Sequence, residues 1–102
     1  METQTTLFTE YPASIKVVAN YLRSAFPNAE LAESEDLDRD GIRFRIEPRR
    51  LVFVSHEFLS DFPSRDAAAH LRELGVAEKV KTLPVGFMLF VTTEGTFIER
   101  VR

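Results

Sequence analysis

The chain has no cysteine, which excludes disulfides and thiolate metal sites together. It also lacks any run approaching the roughly 18 to 20 apolar residues that cross a bilayer. Its start, METQTTLFTEYP, has neither the basic stretch nor the apolar segment of a secretory leader, so a cytoplasmic location is the expectation. No G-x-x-x-x-G-K-[ST] phosphate loop occurs, Gly86 and Gly95 stand alone, and Ser55 is not part of a G-x-S-x-G elbow. Low-complexity tracts and proline-rich linkers are missing as well. The 102 residues therefore read as one small domain, 1–102, with residues 1–11 expected to be loosely held because Leu7 and Phe8 are their only strong apolar anchors.

What is abundant is apolar mass. Residues of the hydrophobic set make up 44% of the chain and include nine Phe, enough for one sizeable core, so stability must come from packing. Over residues 13–26, Ile15, Val18, Ala19, Leu22, Ala25 and Phe26 recur at three- and four-residue steps, which predicts a helix with one apolar stripe. Pro12 suits its start and Pro27 its exit, with Val17 as an apolar intruder on the opposite face.

Alternation takes over at IRFRIE, and the spacing predicts a hairpin between residues 42–47 and 50–55 around Pro48 and Arg49. Pairing Glu47 with Arg50 would gather Ile42, Phe44, Ile46, Leu51 and Phe53 on one face. Arg43 and Arg45 would then share the other with Val52 and Val54. SRDAAAHLRELG and VAEKVKTL read as two further helices, while SHEFLSDFPS carries no clear assignment. VGFMLFVTT is apolar on both faces, as a central strand would be, and Glu94 and Gly95 turn the chain into a closing strand, TFIERVR. The expected fold is α+β, with helices packed on a four-stranded mixed or antiparallel sheet in the order helix, hairpin, helix, hairpin.

The charge is uneven. Residues 28–40 hold six carboxylates against one arginine, and the next segment holds Arg43, Arg45, Arg49 and Arg50 against Glu47. Within the acidic run, DLDRDGIRFRIE sets Asp36, Asp38 and Asp40 at alternate positions, Gly41 at the sixth and Glu47 at the twelfth. That is the ligand spacing of a calcium loop. Its surroundings favour an acidic turn instead: Pro27 ends the preceding helix early, Pro48 follows the would-be bidentate glutamate, and Arg43 stands where an apolar residue belongs.

No catalytic constellation is recognised. His56 and Glu57 would point to opposite sides if both lay in a strand, and His70 with Asp61 or Asp66 could meet His56 only through the tertiary fold. No cofactor is expected. The function expected is a non-enzymatic protein-interaction or assembly domain, its partner another protein or a second copy, with Arg43, Arg45, Arg49, Arg50, Val52 and Val54 as contacts. The Phe97 to Val101 strand adds an open edge that a partner strand could join. One alternative is a nucleic-acid module using the basic hairpin, and another is a calcium-responsive module using Asp36, Asp38, Asp40 and Glu47.

Overall fold

The computed structural model describes residues 10–46, 50–62 and 64–101, less the side chains of residues 64 and 65. The elements run α1 (Pro12–Ala25), β1 (Leu31–Asp36), β2 (Gly41–Ile46), β3 (Arg50–Ser55), α2 (His56–Asp61), α3 (Ser64–Glu73), α4 (Val76–Lys81), β4 (Phe87–Thr92) and β5 (Gly95–Arg100). The strands form a single five-stranded sheet in the order β1-β2-β3-β4-β5. Neighbours are antiparallel except β3 and β4, which run parallel and are joined by the three helices between them. No described helix is long and apolar enough to cross a membrane.

The α+β class and the helical backing agree with expectation, but the sheet has five strands rather than four. The extra strand, LAESED, lies in the acidic run. Its side chains make no apolar face, and its strand geometry comes from its hydrogen-bonded ladder with β2, Leu31 opposite Ile46 through Asp36 opposite Gly41. The order is accordingly a three-stranded meander, a helical crossover and a hairpin.

One face of the sheet carries the core. Ile42, Phe44 and Ile46 of β2, Val52 and Val54 of β3, and Leu89 and Val91 of β4 are buried beneath the helices. From α1 they receive Ile15, Val18, Ala19 and Leu22, the predicted stripe. Val17 also packs against this cluster at its margin, so it is not a solvent-facing intruder. α1 and α3 pack together, and α4 rests against β3 and β4. Fully burying one such side chain contributes about 1.5–3 kcal/mol.

Two polar contacts fix helix starts inside this layer. Ser55 Oγ accepts the Phe58 backbone N–H at 3.2 Å, capping α2 within the segment that had no clear assignment. Tyr21 accepts the Ala77 N–H at 3.1 Å, satisfying an amide in the first turn of α4.

The other face holds a smaller cluster: Phe53, Met88 and Phe90 are buried, with Leu51 and Val101 packed beside them. This corrects the expected hairpin register. The closing pair is Ile46 with Arg50, one residue away from Glu47 with Arg50, so Arg43 stands opposite Phe53 and Arg45 opposite Leu51. Because side chains alternate, that slip moves all of β3 to the opposite face. Val52 and Val54 enter the main core at 0% exposure, and Phe53 takes the arginine side. Gly41 makes the arrangement fit, since a Cβ there would meet the Phe53 ring at 2.3 Å and the Val54 carbonyl at 2.4 Å.

Candidate association edge

Among the described residues, Asp36, Asp38 and Asp40 do not come together as one group of metal-ligating oxygens. Asp36 ends β1 with a side chain only 7% exposed. One of its oxygens accepts the Arg39 backbone N–H at 3.2 Å, and the other accepts Arg39 at 3.2 Å and Arg43 at 2.9 Å. Burial pushes its carboxyl up, but the hydrogen bonds from Arg43 and Arg39 and the Arg43 charge outweigh this and hold the group below its ordinary value. Asp38 is exposed. Asp40, in the left-handed region at φ 57°, places Oδ2 at 3.3 Å from His56 Nδ1. Residues 36–41 therefore form the turn of the β1–β2 hairpin, stapled by arginine. Glu47 lies outside the described residues.

His56 and Glu57 are not on a strand, because β3 has ended at Ser55. They open α2, where their ligand atoms and that of Asp40 lie within 4.8 Å of one another. Tyr11 Oη lies 3.0 Å from His56 Nε2, and the His56 amide donates to the Asp40 carbonyl at 3.0 Å. These bonds tie the start of α1, the acidic turn and the head of α2 together. Of the segment expected to be loose, Tyr11 is thus anchored, while residues 1–9 lie outside the described residues. His70 stands apart from this group, stacked on Phe62 with centroids 4.0 Å apart and 3.6 Å from Glu73. Ser55, which stands outside any G-x-S-x-G elbow, uses its hydroxyl as a helix cap.

The arginines divide between the faces. Arg43 and Arg45 lie on the face away from the helices, as expected. Arg50 lies on the helical face, its guanidinium 5.6 Å from the centroid of the Phe26 ring. Arg49 lies outside the described residues. With Val52 and Val54 buried, the six expected contacts do not make one surface.

β5 presents a different surface. Among the described residues it is paired only with β4, so its other side is an edge of the described sheet. Phe97 is 48% exposed and Ile98 50% exposed, on opposite faces of the same strand. Phe97 stacks on Phe90 with centroids 4.8 Å apart and the rings within 4° of parallel. Ile98 borders a groove shared with Leu83, Pro84 and Leu89, and beside it Lys79 Nζ donates to Thr96 Oγ1 at 2.6 Å.

The phase of the ladder decides which backbone groups are free for pairing. The Val101 N–H donates to the Gly86 carbonyl at 2.7 Å, and Thr92 and Gly95 close the hairpin. In an antiparallel pair the residues that bond inward alternate with those that do not. Residues 95, 97, 99 and 101 therefore direct N–H and C=O toward β4, and Thr96, Ile98 and Arg100 direct theirs outward. The sequence signal for this edge was TFIERVR following Glu94 and Gly95, with large apolar residues side by side where a half-buried strand would alternate.

No protein-family model matches the chain, and neither a curated protein nor a solved structure does.

Proposed function

We propose that this chain is a non-enzymatic protein-association domain, acting in the cytoplasm, whose docking element is the β5 edge. One observation carries the reading: a sheet edge with outward backbone groups at Thr96, Ile98 and Arg100 is flanked by half-exposed Phe97 and Ile98, one on each face. Strand addition needs both parts. The backbone ladder supplies affinity, and alternate side chains supply selectivity. Unprotected apolar edges of this kind are usually blunted by charge, proline or a covering element.

The test is a photo-crosslinking amino acid placed at position 98, with position 33 on β1 as the comparison, in purified chain added to extract of its source cells. Efficient product from position 98 and little from position 33 is the expected result. Equal yields from the two positions would remove β5 from the proposal.

Single-stranded nucleic acid is the second reading, favoured by Arg43 and Arg45 sharing the face of the exposed Phe97 ring. It ranks lower because Asp36 already engages Arg43 and Arg39, and because Phe53 and Phe90 on that face are buried, leaving Phe97 as its one half-exposed ring among the described residues. Fluorescence anisotropy with a labelled oligonucleotide at about 0.15 M salt should show no saturable binding. The calcium reading retains only its spacing, since both Asp36 oxygens are occupied by donors.

A further inference from the structure

We propose that the β5 edge pairs with the β5 edge of a second copy of this chain, antiparallel and centred on Ile98, joining two five-stranded sheets into one continuous sheet. This rests on the reading of β5 as the association edge and specifies its occupant.

The register follows from the backbone phase. A two-fold axis normal to the sheet keeps every residue on its own face, so Thr96, Ile98 and Arg100 can lie opposite only even-numbered residues of the second copy. Centred on Ile98, the two strands pair Ile98 with Ile98 and Thr96 with Arg100 in both directions, using all of the outward groups. Centring on Phe97 would set Arg100 against Glu94, which lies in the turn and outside the ladder. Centring on Glu99 would set two Glu99 carboxylates directly opposite each other, a destabilising pair.

Side chains agree with that choice. The two Ile98 side chains meet on the helical face and close the groove bordered by Leu83, Pro84 and Leu89. On the other face the two Phe97 rings become diagonal neighbours, within reach for aromatic side chains, so each Phe90–Phe97 stack continues into its mate. Like charges do approach, Glu99 with Glu99 diagonally and Arg100 with the Lys79 beside Thr96, which calls for measurement at about 0.15 M salt where they are screened. Growth beyond two copies through β1 is disfavoured because that edge carries Glu33 and Glu35. The assembly therefore closes as a dimer.

The cysteine-free chain permits a clean register scan. Single cysteines are introduced in place of Phe97, Ile98 and Glu99, with Asn20→Cys on α1 as control, and oxidised by glutathione disulfide at about 100 µM protein. Opposed residues in a hydrogen-bonded antiparallel pair have Cα atoms about 5.5 Å apart, within disulfide reach. Ile98→Cys should give covalent dimer at least about tenfold faster than the control, and faster than its neighbours. Fastest reaction at 97 or 99 overturns the register, and rates equal to the control at all three positions overturn the dimer.

Sedimentation equilibrium gives an independent reading. Ile98→Pro removes an outward N–H while leaving the ladder to β4 untouched, and should raise the dimer dissociation constant at least about tenfold. Circular dichroism checks that the variant is folded, and Ile98→Lys, which keeps every backbone group, should act in the same direction. An unchanged constant in a folded variant overturns the proposal. A photo-crosslinked product from position 98 whose mass is not twice that of the chain overturns the second-copy occupant but leaves β5 as the association edge. Product with no preference for position 98 over 33 overturns both.

Discussion

The two edges of the sheet solve the same problem in opposite ways. β1 places Ala32, Glu33 and Ser34 in solvent, ties Glu33 to Arg23 at 4.0 Å and ends on an Asp36 bound by two arginines. A strand entering there would have to dehydrate carboxylates on both faces. β5 places Phe97 and Ile98 in solvent, so a strand entering there gains apolar burial as well as its ladder. Adjacency to the core does not separate them, since each pairs fully with its inner neighbour over six residues. What separates them is which side chains flank the outer backbone: charge at β1, and half-exposed Phe97 and Ile98 at β5, the contrast on which the proposed docking role of β5 rests.

The largest effect is expected at Gly41, which pairs with Asp36 at the end of β1. Gly41→Val should cost about 3 kcal/mol by overpacking, because the added atoms collide with the Phe53 ring and with the immovable Val54 carbonyl. Urea denaturation measures it, and a loss below about 1 kcal/mol would mean that Phe53 swings away freely.

Next in size is Asp36→Asn, expected to lose about 1–2 kcal/mol, moderated because Arg39 is well exposed. The pH dependence has a definite sign. A carboxyl held below its ordinary value of 3.8 contributes stability that is fully present above that value and lost as pH falls through the lowered one. Denaturation midpoints followed between about pH 5 and pH 2 should therefore fall more steeply for the wild type than for Asp36→Asn. Parallel curves would show that the arginine staple leaves the edge no more stable.

Tyr21→Phe should cost about 1 kcal/mol by leaving the Ala77 N–H without its acceptor. Since α4 carries Lys79, which holds Thr96, exchange of the Thr96 and Ile98 amides should change more than that of β1 amides. The smallest stability change, under about 0.5 kcal/mol, is expected from replacing both Glu33 and Glu35 with Val. Its effect is on assembly: with two apolar edges, light scattering should report masses beyond a dimer, and a mass distribution like the wild type would show that charge is not what guards β1.

Residues with strong periodicity were legible in the sequence. α1 announced itself by Ile15, Val18, Ala19 and Leu22, and the β2–β3 and β4–β5 pairings by alternation and turn residues. β1 was hidden because LAESED has no apolar face, its conformation being imposed by β2. The hairpin register failed by one residue, and a period of two turns such a slip into a complete exchange of faces, which is why Val52 and Val54 were expected outside and Phe53 inside. α2 escaped because six residues leave too little periodicity to read, although Ser55 held the capping signal. For the proposed association edge, TFIERVR was visible as an edge strand. Its weight relative to the arginines depended on knowing that Arg50 faces the helices and that Asp36 binds Arg43, both facts of tertiary structure.

The parallel seam between β3 and β4 bears on how the chain finds its fold. Every other seam of the sheet joins strands that follow one another directly in sequence, whereas this one waits for the segment from His56 to Gly86 to close. Loop closure of that length costs entropy before any contact repays it, so docking of the β4–β5 hairpin onto the β1–β3 meander is expected to set the folding rate. Until that event FMLFV has a bare flank and unburied faces. Refolding yield should therefore fall with protein concentration even where equilibrium stability is ample.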